Sequence, residues 1–159
     1  MIDLLLSAKH GREGALAPLS LWRSVWSTVL EFNTLTRFSD AIQLRVTDLS
    51  FPSQPAPHLS VSFAKSKNDQ YSEGSQRLVA SLPNEPKYCP VRLTKLYLSR
   101  LGRGYLGYLI PRVRADRLTG LQRPEPDQAL SYTTFLEDFH KLLHSLGYDG
   151  SKFGTHSGK

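Results

Sequence analysis

The chain has 159 residues and a mass of 17.9 kDa, which is the size of one domain or of most of one. Its formal charge of +6 and pI near 9.6 favour a polyanionic partner, although charge alone does not identify that partner. A single cysteine excludes a disulfide framework or a cysteine-based zinc site within the chain, and no apolar run approaches membrane-spanning length.

The first part of the chain is predicted to contain helices that meet near Arg37. Residues 3–9 have the pattern of a short amphipathic helix. After Pro18, apolar residues recur with the i, i+3, i+4, i+7 spacing of a helix with one buried face, namely Trp22, Val25, Trp26, Val29 and Leu30. A second helix is expected from Ser39 to Leu44, packed against the first and placing Arg37 at the junction.

The middle of the chain has the pattern of a β-hairpin. Leu59, Val61 and Phe63 alternate with serines, which predicts a half-buried strand. A second alternating run follows, with Leu78, Ala80 and Leu82 on its apolar face. The segment between them, residues 68–75, is polar and rich in turn-forming residues, so we expect a mobile hairpin tip.

The second half of the chain is predicted to be mainly helical. Residues 83–90 form a loop, and a helix follows from Val91 to Leu101, where Gly102 ends it. Residues 111–128 are rich in Arg, Pro and Asp and are expected to be irregular. Ser131 is a suitable N-cap for a helix over 132–146, whose apolar stripe contains Phe135, Leu136, Phe139, Leu142, Leu143 and Leu146. The predicted fold class is mainly α with a small antiparallel β-sheet (α+β).

Several basic residues along the chain could act together on one phosphodiester. Attack on phosphorus requires that charge on the non-bridging oxygens be neutralised, and the planar fork of an arginine can hold two of these oxygens. A histidine can donate a hydrogen bond or move a proton, and a lysine on a hairpin can protonate the leaving oxygen. Arg37, Lys65 or Lys67, and His156 supply these groups in chain order. This chemistry requires no metal, and we expect neither a metal nor a small-molecule cofactor.

These residues and their surroundings resemble the catalytic domain of tyrosine recombinases, the phage-integrase-like enzymes, and in particular divergent eukaryotic members of mobile-element type. Each matching segment is weak alone, but the ordered set spans roughly residues 15–159. The segments are Thr36-Arg37-Phe38-Ser39-Asp40-Ala41, Lys65-Ser66-Lys67-Asn68-Asp69-Gln70, Cys89-Pro90-Val91, Ala129-Leu130-Ser131-Tyr132 and Phe153-Gly154-Thr155-His156-Ser157.

The resemblance implies a role for each matching residue. Arg37 corresponds to the first catalytic arginine, which grips the scissile phosphate, and Asp40 to the acidic residue that orients its neighbours. Lys67 corresponds to the hairpin lysine that acts as general acid, with Lys65 as the close rival for that role. His156 corresponds to the first residue of the family's His-x-x-Arg motif. Arg37, Lys65, Lys67 and His156 are the expected DNA contacts.

The chain departs from the family pattern in two places. Lys159 stands where the family has its second arginine, and a lysine keeps the charge but loses the bidentate fork. The family's nucleophilic tyrosine lies downstream of this motif, whereas all seven tyrosines of this sequence precede His156. We therefore interpret residues 1–159 as a partial recombinase catalytic domain, without the family's N-terminal DNA-clamp domain and Tyr-bearing segment. We expect this partial domain to bind DNA and not to cleave it.

Other interpretations remain open from the sequence. The chain could be a repurposed, non-catalytic DNA-binding module, or a basic α+β domain that binds RNA or protein with an accidental motif order. Arg37 could simply cap a helix or form a surface ion pair with Asp40. The run Arg112, Arg114, Arg117 and Arg123 is either a DNA-backbone contact or a solvated loop. DNA is the expected partner, self-association on DNA is possible, and the expected location is intracellular without a membrane, and nuclear in a eukaryotic host.

Overall fold

A long central helix, α1 (Leu19–Thr34), organises the fold seen in the computed structural model, which describes residues 17–64 and 74–153. The helix confirms the prediction from its apolar spacing. It begins directly after Pro18, where the missing proline amide removes no helical hydrogen bond. Its buried face packs on two later helices, α3 (Pro90–Leu101) and α4 (Tyr132–Ser145).

Trp26 occupies the centre of the core between α1 and α3. Its ring stacks on Tyr97 with 4.5 Å between centroids, and its Nε1 donates to the Thr94 hydroxyl at 3.0 Å. The Tyr97 hydroxyl in turn donates to the Leu109 carbonyl at 2.8 Å, so the buried polar atoms are satisfied. Truncation of a buried tryptophan of this kind costs about 3–5 kcal/mol.

The helix predicted after Arg37 is present but shorter than expected. It forms α2 (Phe38–Ala41), which contacts α1, and the chain then turns through Ile42 and Gln43. Beyond this turn, the Leu44 carbonyl accepts a hydrogen bond from the Leu109 amide at 2.8 Å. A 3₁₀ turn (Val46–Asp48) follows.

The predicted hairpin is confirmed as part of a three-stranded antiparallel sheet, in the order β1 (Leu49–Ser50), β2 (His58–Phe63) and β3 (Ser75–Ala80). The predicted apolar face of β3 is wrong. Val79 is buried, whereas Leu78 is 63% exposed and Ala80 and Leu82 are also exposed. Val79 pairs with the buried Leu59 of β2, and this register turns the neighbouring residues of β3 to the opposite face.

A second, two-stranded sheet replaces the irregular segment expected over residues 111–128. Strands β4 (Pro111–Ala115) and β5 (Gln122–Ala129) form an antiparallel hairpin. Two prolines within β5, Pro124 and Pro126, argued against a strand in the sequence. A two-stranded ribbon tolerates them, because each strand has one edge without a partner strand.

The two later helices agree with their predicted positions. The Ser131 hydroxyl accepts the Thr134 amide at 3.2 Å and so caps α4, and Gly147 adopts a positive φ of 84° just after its end. Of the predicted stripe on α4, Phe135 and Leu142 are buried and the other four residues are half-buried. A 3₁₀ turn (Gly150–Lys152) packs against α4 near His140. The α+β class is therefore confirmed.

Two of the predicted elements cannot be compared with the fold. The short helix over residues 3–9 and the tip of the first hairpin lie outside the described residues. In the part of the chain that the structure describes, we find no helix with the length and apolar character needed to cross a membrane.

Candidate functional site

Arg37 lies at the N-cap of α2, in the short connection that follows α1. Its backbone is extended, with φ −76° and ψ 150°, and its carbonyl accepts the amides of Asp40 and Ala41 at 3.0 Å each. The main chain of Arg37 therefore begins the helix, while its side chain takes no part in capping. The predicted position of Arg37 at a helix junction is confirmed.

The guanidinium of Arg37 differs from those of the other buried or half-buried arginines in having no interaction partner among the described residues. Within residues 17–64 and 74–153, four arginines are less than fully exposed. Arg23 is paired with a carboxylate, Arg45 lies 4.3 Å from the centre of the Tyr108 ring, and Arg100 donates to the Ala17 carbonyl at 2.8 Å. The half-buried Arg37 side chain has no hydrogen bond, ion pair or aromatic contact with any described residue. Its five donors are therefore unused by the described part of the fold.

The short helix α2, which begins directly after Arg37, is anchored to the core by Phe38. Phe38 is buried, and its ring stacks on Phe135 of α4 at 4.2 Å between centroids and tilts against Tyr132 at 5.7 Å. Ala41 on the same helix is fully buried. A helix of four residues has little stability of its own, so this packing holds the backbone of Arg37 in place.

The connection between α1 and Arg37 contains a backbone outlier. Leu35 is the C-cap of α1 and has a left-handed conformation, with φ 50° and ψ 36°. Both the Leu35 and Thr36 amides bond to the Glu31 carbonyl, which closes the end of the helix. A leucine in this conformation is strained by its Cβ, and its side chain is 87% exposed and gains little from packing.

Asp40 does not form the surface ion pair that the sequence left open. Its carboxylate receives only a long contact from the Ser39 hydroxyl, at 3.5 Å, and is not within ion-pair distance of Arg37. Asp40 is half-buried in the first turn of α2. The expected orienting role of Asp40 thus remains a prediction, and the simple ion-pair interpretation of Arg37 is wrong.

The remaining predicted site residues cannot be placed relative to Arg37. Lys65 and Lys67 belong to the tip of the first hairpin, and His156 and Lys159 follow the last described residue, Phe153. All four lie outside the described residues. Strands β2 and β3, which precede and follow both lysines in the chain, are paired from Phe63 with Ser75 to His58 with Ala80.

An ion pair that the sequence analysis missed joins three elements of the fold. Arg23 of α1 is 3% exposed, and its guanidinium donates to Asp138 of α4 at 2.5 Å and to the Pro111 carbonyl of β4 at 2.8 Å. A sequence signal existed, because Arg23 lies three residues before Trp26 and four after Leu19, on the apolar face of α1. Both contacts are used within the fold, so Arg23 has a structural role.

Glu31, near the end of α1, is a second residue that the sequence analysis missed. Burial raises the pKa of its carboxyl group to about 7. Its Oε1 is buried and has no hydrogen-bond partner among the described residues. A carboxyl group in this state takes up a proton near neutral pH.

The tyrosines differ in whether they could act as nucleophiles. The Tyr97 hydroxyl is fully buried, and burial raises its pKa far above the ordinary value. Burial also raises the pKa of Tyr105 to about 12, and its hydroxyl donates to the Tyr108 carbonyl at 2.9 Å. Neither forms a phenolate readily. Tyr88, in contrast, is exposed.

The arginine run lies on the β4–β5 hairpin, and its members differ in their environment. Arg112 pairs with Glu125 on the opposite strand, with 3.4 Å between Nε and Oε2. Arg114 and Arg123 are exposed and directly opposite each other on the two strands, and Arg117 lies in the turn. These three have no ion-pair partner among the described residues. The expected irregular backbone is therefore wrong, whereas the choice between a DNA contact and solvated side chains stays open.

Comparisons with protein families and with curated proteins identified no relative of this chain. The scan against protein-family models found no matching family, and the search of curated proteins gave no match. Within residues 17–64 and 74–153, no group of three or more His, Cys, Asp or Glu side chains could hold a metal ion.

Proposed function

We propose that this chain is the DNA-binding core of a site-specific DNA recombinase of the tyrosine-recombinase type, and that Arg37 contacts the scissile phosphate. The proposal rests first on the ordered motifs of the sequence. Its structural support is the half-buried Arg37 guanidinium, which has no partner among the described residues and projects from a helix anchored by Phe38. The net charge of +6 favours the same partner.

The proposed chemistry gives each basic residue a separate task. Arg37 would hold two non-bridging oxygens with its planar fork and neutralise charge as the phosphorus becomes five-coordinate. Lys67, or Lys65 in its place, would protonate the leaving oxygen. His156 would donate to the phosphate, and Lys159 would add charge without a bidentate contact.

A repurposed DNA-binding module is the second candidate, and the identity of residue 159 favours it. Lysine at this position presents a point charge where the resembling enzymes have an arginine fork. A module that only binds DNA needs the charge and not the geometry. The two candidates agree on DNA binding by this chain through Arg37 and differ in whether a complete parent enzyme would also cleave DNA.

The decisive experiment measures binding of the 159-residue chain to a nicked DNA duplex on native gels across a salt series. We expect a salt-sensitive shift that Arg37→Ala weakens and Arg37→Lys does not restore, because lysine cannot make the bidentate contact. Arg92→Ala, which removes an exposed arginine of α3, is the matched control. Equal losses in the Arg37→Ala and Arg92→Ala variants, or full binding by Arg37→Lys, would contradict a specific phosphate contact.

The same mixtures run on denaturing gels test the chemistry. We expect no adduct that survives denaturation, as the resembling enzymes' tyrosine has no counterpart after His156 in this sequence. A resistant adduct would show that one of the seven tyrosines reacts. Substitution of the exposed Tyr88, Tyr132 and Tyr148 would then be the first step, since the Tyr97 and Tyr105 hydroxyls are engaged within the fold. Absence of any shift at all salt concentrations would reject both DNA-binding candidates.

A further inference from the structure

The β4–β5 hairpin carries a concentration of positive charge that works against its own stability. Arg114 and Arg123 are directly opposite across the two strands, and like charges in this position repel. Between residues 114 and 123 there are three arginines and one aspartate. The repulsion opposes the pairing of the two strands, and Arg114, Arg117 and Arg123 have no ion-pair partner among the described residues. Their donors are therefore available to an external anion.

The single aspartate of this segment is already used by the turn. Asp116 accepts the Thr119 amide at 2.8 Å, the Thr119 hydroxyl at 2.9 Å and the Leu118 amide at 3.0 Å. These contacts, the Thr119 amide above all, hold the pKa of Asp116 below its ordinary value. The carboxylate therefore closes the turn and lies beyond ion-pair distance of the arginines, although the charge of Arg123 also contributes to its lowered pKa.

The turn is closed by backbone hydrogen bonds, and it has an apolar residue at its apex. The Asp116 carbonyl accepts the Gly120 amide at 2.9 Å, and the Asp116 amide donates to Leu121 across the turn at 2.9 Å. Leu118 stands between these contacts with 97% of its side chain exposed. A single exposed leucine is common on protein surfaces. This one is held in place by the turn and flanked by arginines without carboxylate partners.

The base of the hairpin is also fixed to the rest of the fold. Pro111 accepts a hydrogen bond from the buried Arg23, and the Gln122 side chain accepts the Ser20 amide at 2.8 Å. Gly107 allows β5 to approach closely, since a Cβ there would lie 2.4 Å from the Pro126 carbonyl oxygen. A ribbon held at its base and closed at its tip is preorganised for binding.

The hairpin is distinct from the Arg37 site. The contact from Gln122 places the hairpin beside the first residues of α1, whereas Arg37 follows the last. At 1.5 Å per residue, Ser20 and Thr34 are about 21 Å apart along the helix. That length corresponds to roughly six base pairs at about 3.4 Å each, so a single duplex is long enough to reach both.

We propose that the β4–β5 hairpin is a second DNA contact, in which Arg114, Arg117 and Arg123 bind phosphates beside a groove and Leu118 contacts the base edges. This inference rests on the proposed DNA-binding function. The major groove of B-form DNA admits a two-stranded β-ribbon, whereas the deep, narrow major groove of A-form RNA does not. The hairpin therefore selects B-form DNA.

The test compares two double variants of the 159-residue chain on a 24-base-pair mixed-sequence DNA duplex. Arg114→Gln with Arg123→Gln removes two proposed phosphate contacts, and Arg92→Gln with Arg103→Gln removes the same charge elsewhere. Each lost contact reduces the slope of log K against log salt by about 0.9. We expect this slope to be smaller by about 1.8 in the hairpin variant. The loss of affinity between 50 and 200 mM salt would then be about tenfold smaller for the hairpin variant than for the unmodified chain. Equal slopes in the two double variants would overturn the proposal.

Two further measurements separate its parts. Leu118→Ser is expected to weaken DNA binding several-fold with the salt slope unchanged, and Leu106→Ser, at another exposed leucine, is its control. No loss with Leu118→Ser would refute the base contact. An RNA duplex of the same sequence is expected to bind less tightly and to be indifferent to the hairpin variant, and equal effects on both nucleic acids would refute groove binding.

The outcomes also separate this inference from the proposed function. Both hairpin arginines are exposed, so we expect the melting temperature of the double variant to equal or exceed that of the unmodified chain. A melting temperature in this range would exclude misfolding as the cause of weaker binding. Binding that depends on Arg37 but not on the hairpin would reject the second contact alone. Absence of DNA binding by the unmodified chain would reject both.

Discussion

Replacement of Glu31 by glutamine is expected to stabilise the protein at alkaline pH and to leave its stability unchanged in acid. Burial raises the pKa of this carboxyl group from its ordinary value of 4.5 to about 7 in the folded chain. Folding therefore takes up a proton between these two values. The contribution of Glu31 to stability is therefore greatest below pH 4.5, falls as the pH rises through this interval, and is constant above pH 7.

The size of the effect follows from the pKa difference. At about 1.4 kcal/mol per pH unit, ionised Glu31 lowers the free energy of unfolding by about 3 kcal/mol at pH 8. For a chain of this size, that corresponds to a melting temperature roughly 6–12 °C lower. Glutamine has nearly the same shape and carries no charge, so Glu31→Gln removes the penalty.

Thermal unfolding of the two proteins at pH 5 and pH 8 measures this difference directly. Comparison of the variant with the unmodified chain at each pH cancels the contributions of the histidines and other groups that titrate in this range. Glu137→Gln, at an exposed position on α4, is the control and is expected to show no such difference. Equal melting temperatures for Glu31→Gln and the unmodified chain at pH 8 would refute the reasoning, and a lower one would show that a cation stabilises the carboxylate.

Two other substitutions test how the fold holds its shape. Asp138→Ala is expected to cost about 3–5 kcal/mol in urea unfolding, because it leaves the charge of Arg23 buried without its carboxylate. The pair Arg23→Met with Asp138→Leu should recover most of this loss, and an equally unstable double variant would contradict the role of the buried charge. Leu35→Gly is expected to stabilise the chain by about 0.5–1 kcal/mol by relieving its left-handed backbone. Leu35→Ala, which keeps a Cβ, should give no gain, and a loss with glycine would show that this conformation is not strained.

The elements with strong periodicity were predictable from the sequence. The spacing of Trp22 and Trp26 indicates α1, because apolar residues separated by one helical turn lie on one face. Ser131 marks the beginning of α4, since its hydroxyl satisfies an amide that the helix leaves free. Gly102 and Gly147 mark helix ends by their positive φ angles.

The wrong predictions concern segments in which the pattern of apolar residues does not match the pattern of burial. Leu78 and Leu82 alternate like core residues, yet pairing with β2 turns the β3 side chain of Val79 inward instead. Only Pro111 is buried among the residues of strands β4 and β5, so their sequence shows no alternation of apolar and polar residues. The pairing of Arg23 with Asp138 joins residues 115 positions apart and follows only from the tertiary fold.

Of the candidate site, the sequence placed Arg37 at a helix junction but did not determine whether its charge was free. A single sequence does not show which carboxylate an arginine meets. Asp40, three residues from Arg37, was the nearest acidic residue along the chain, and in the fold it contacts Ser39 instead. The sequence also gave no indication of the raised pKa of Glu31, because this shift is caused by burial in the fold and not by neighbouring residues in the sequence.

The arginines show why net charge alone is a poor guide to where this protein would bind DNA. Arg23 and Arg112 contribute as much to the formal charge as Arg37 and Arg114, but each has a carboxylate partner within the fold. A phosphate that approached either would have to displace this partner and leave a carboxylate without its cation. Arg37 and Arg114 have no such competitor among the described residues, so a phosphate gains the full interaction there. Under the proposed function, we therefore expect phosphates to bind at the arginines that have no carboxylate partner.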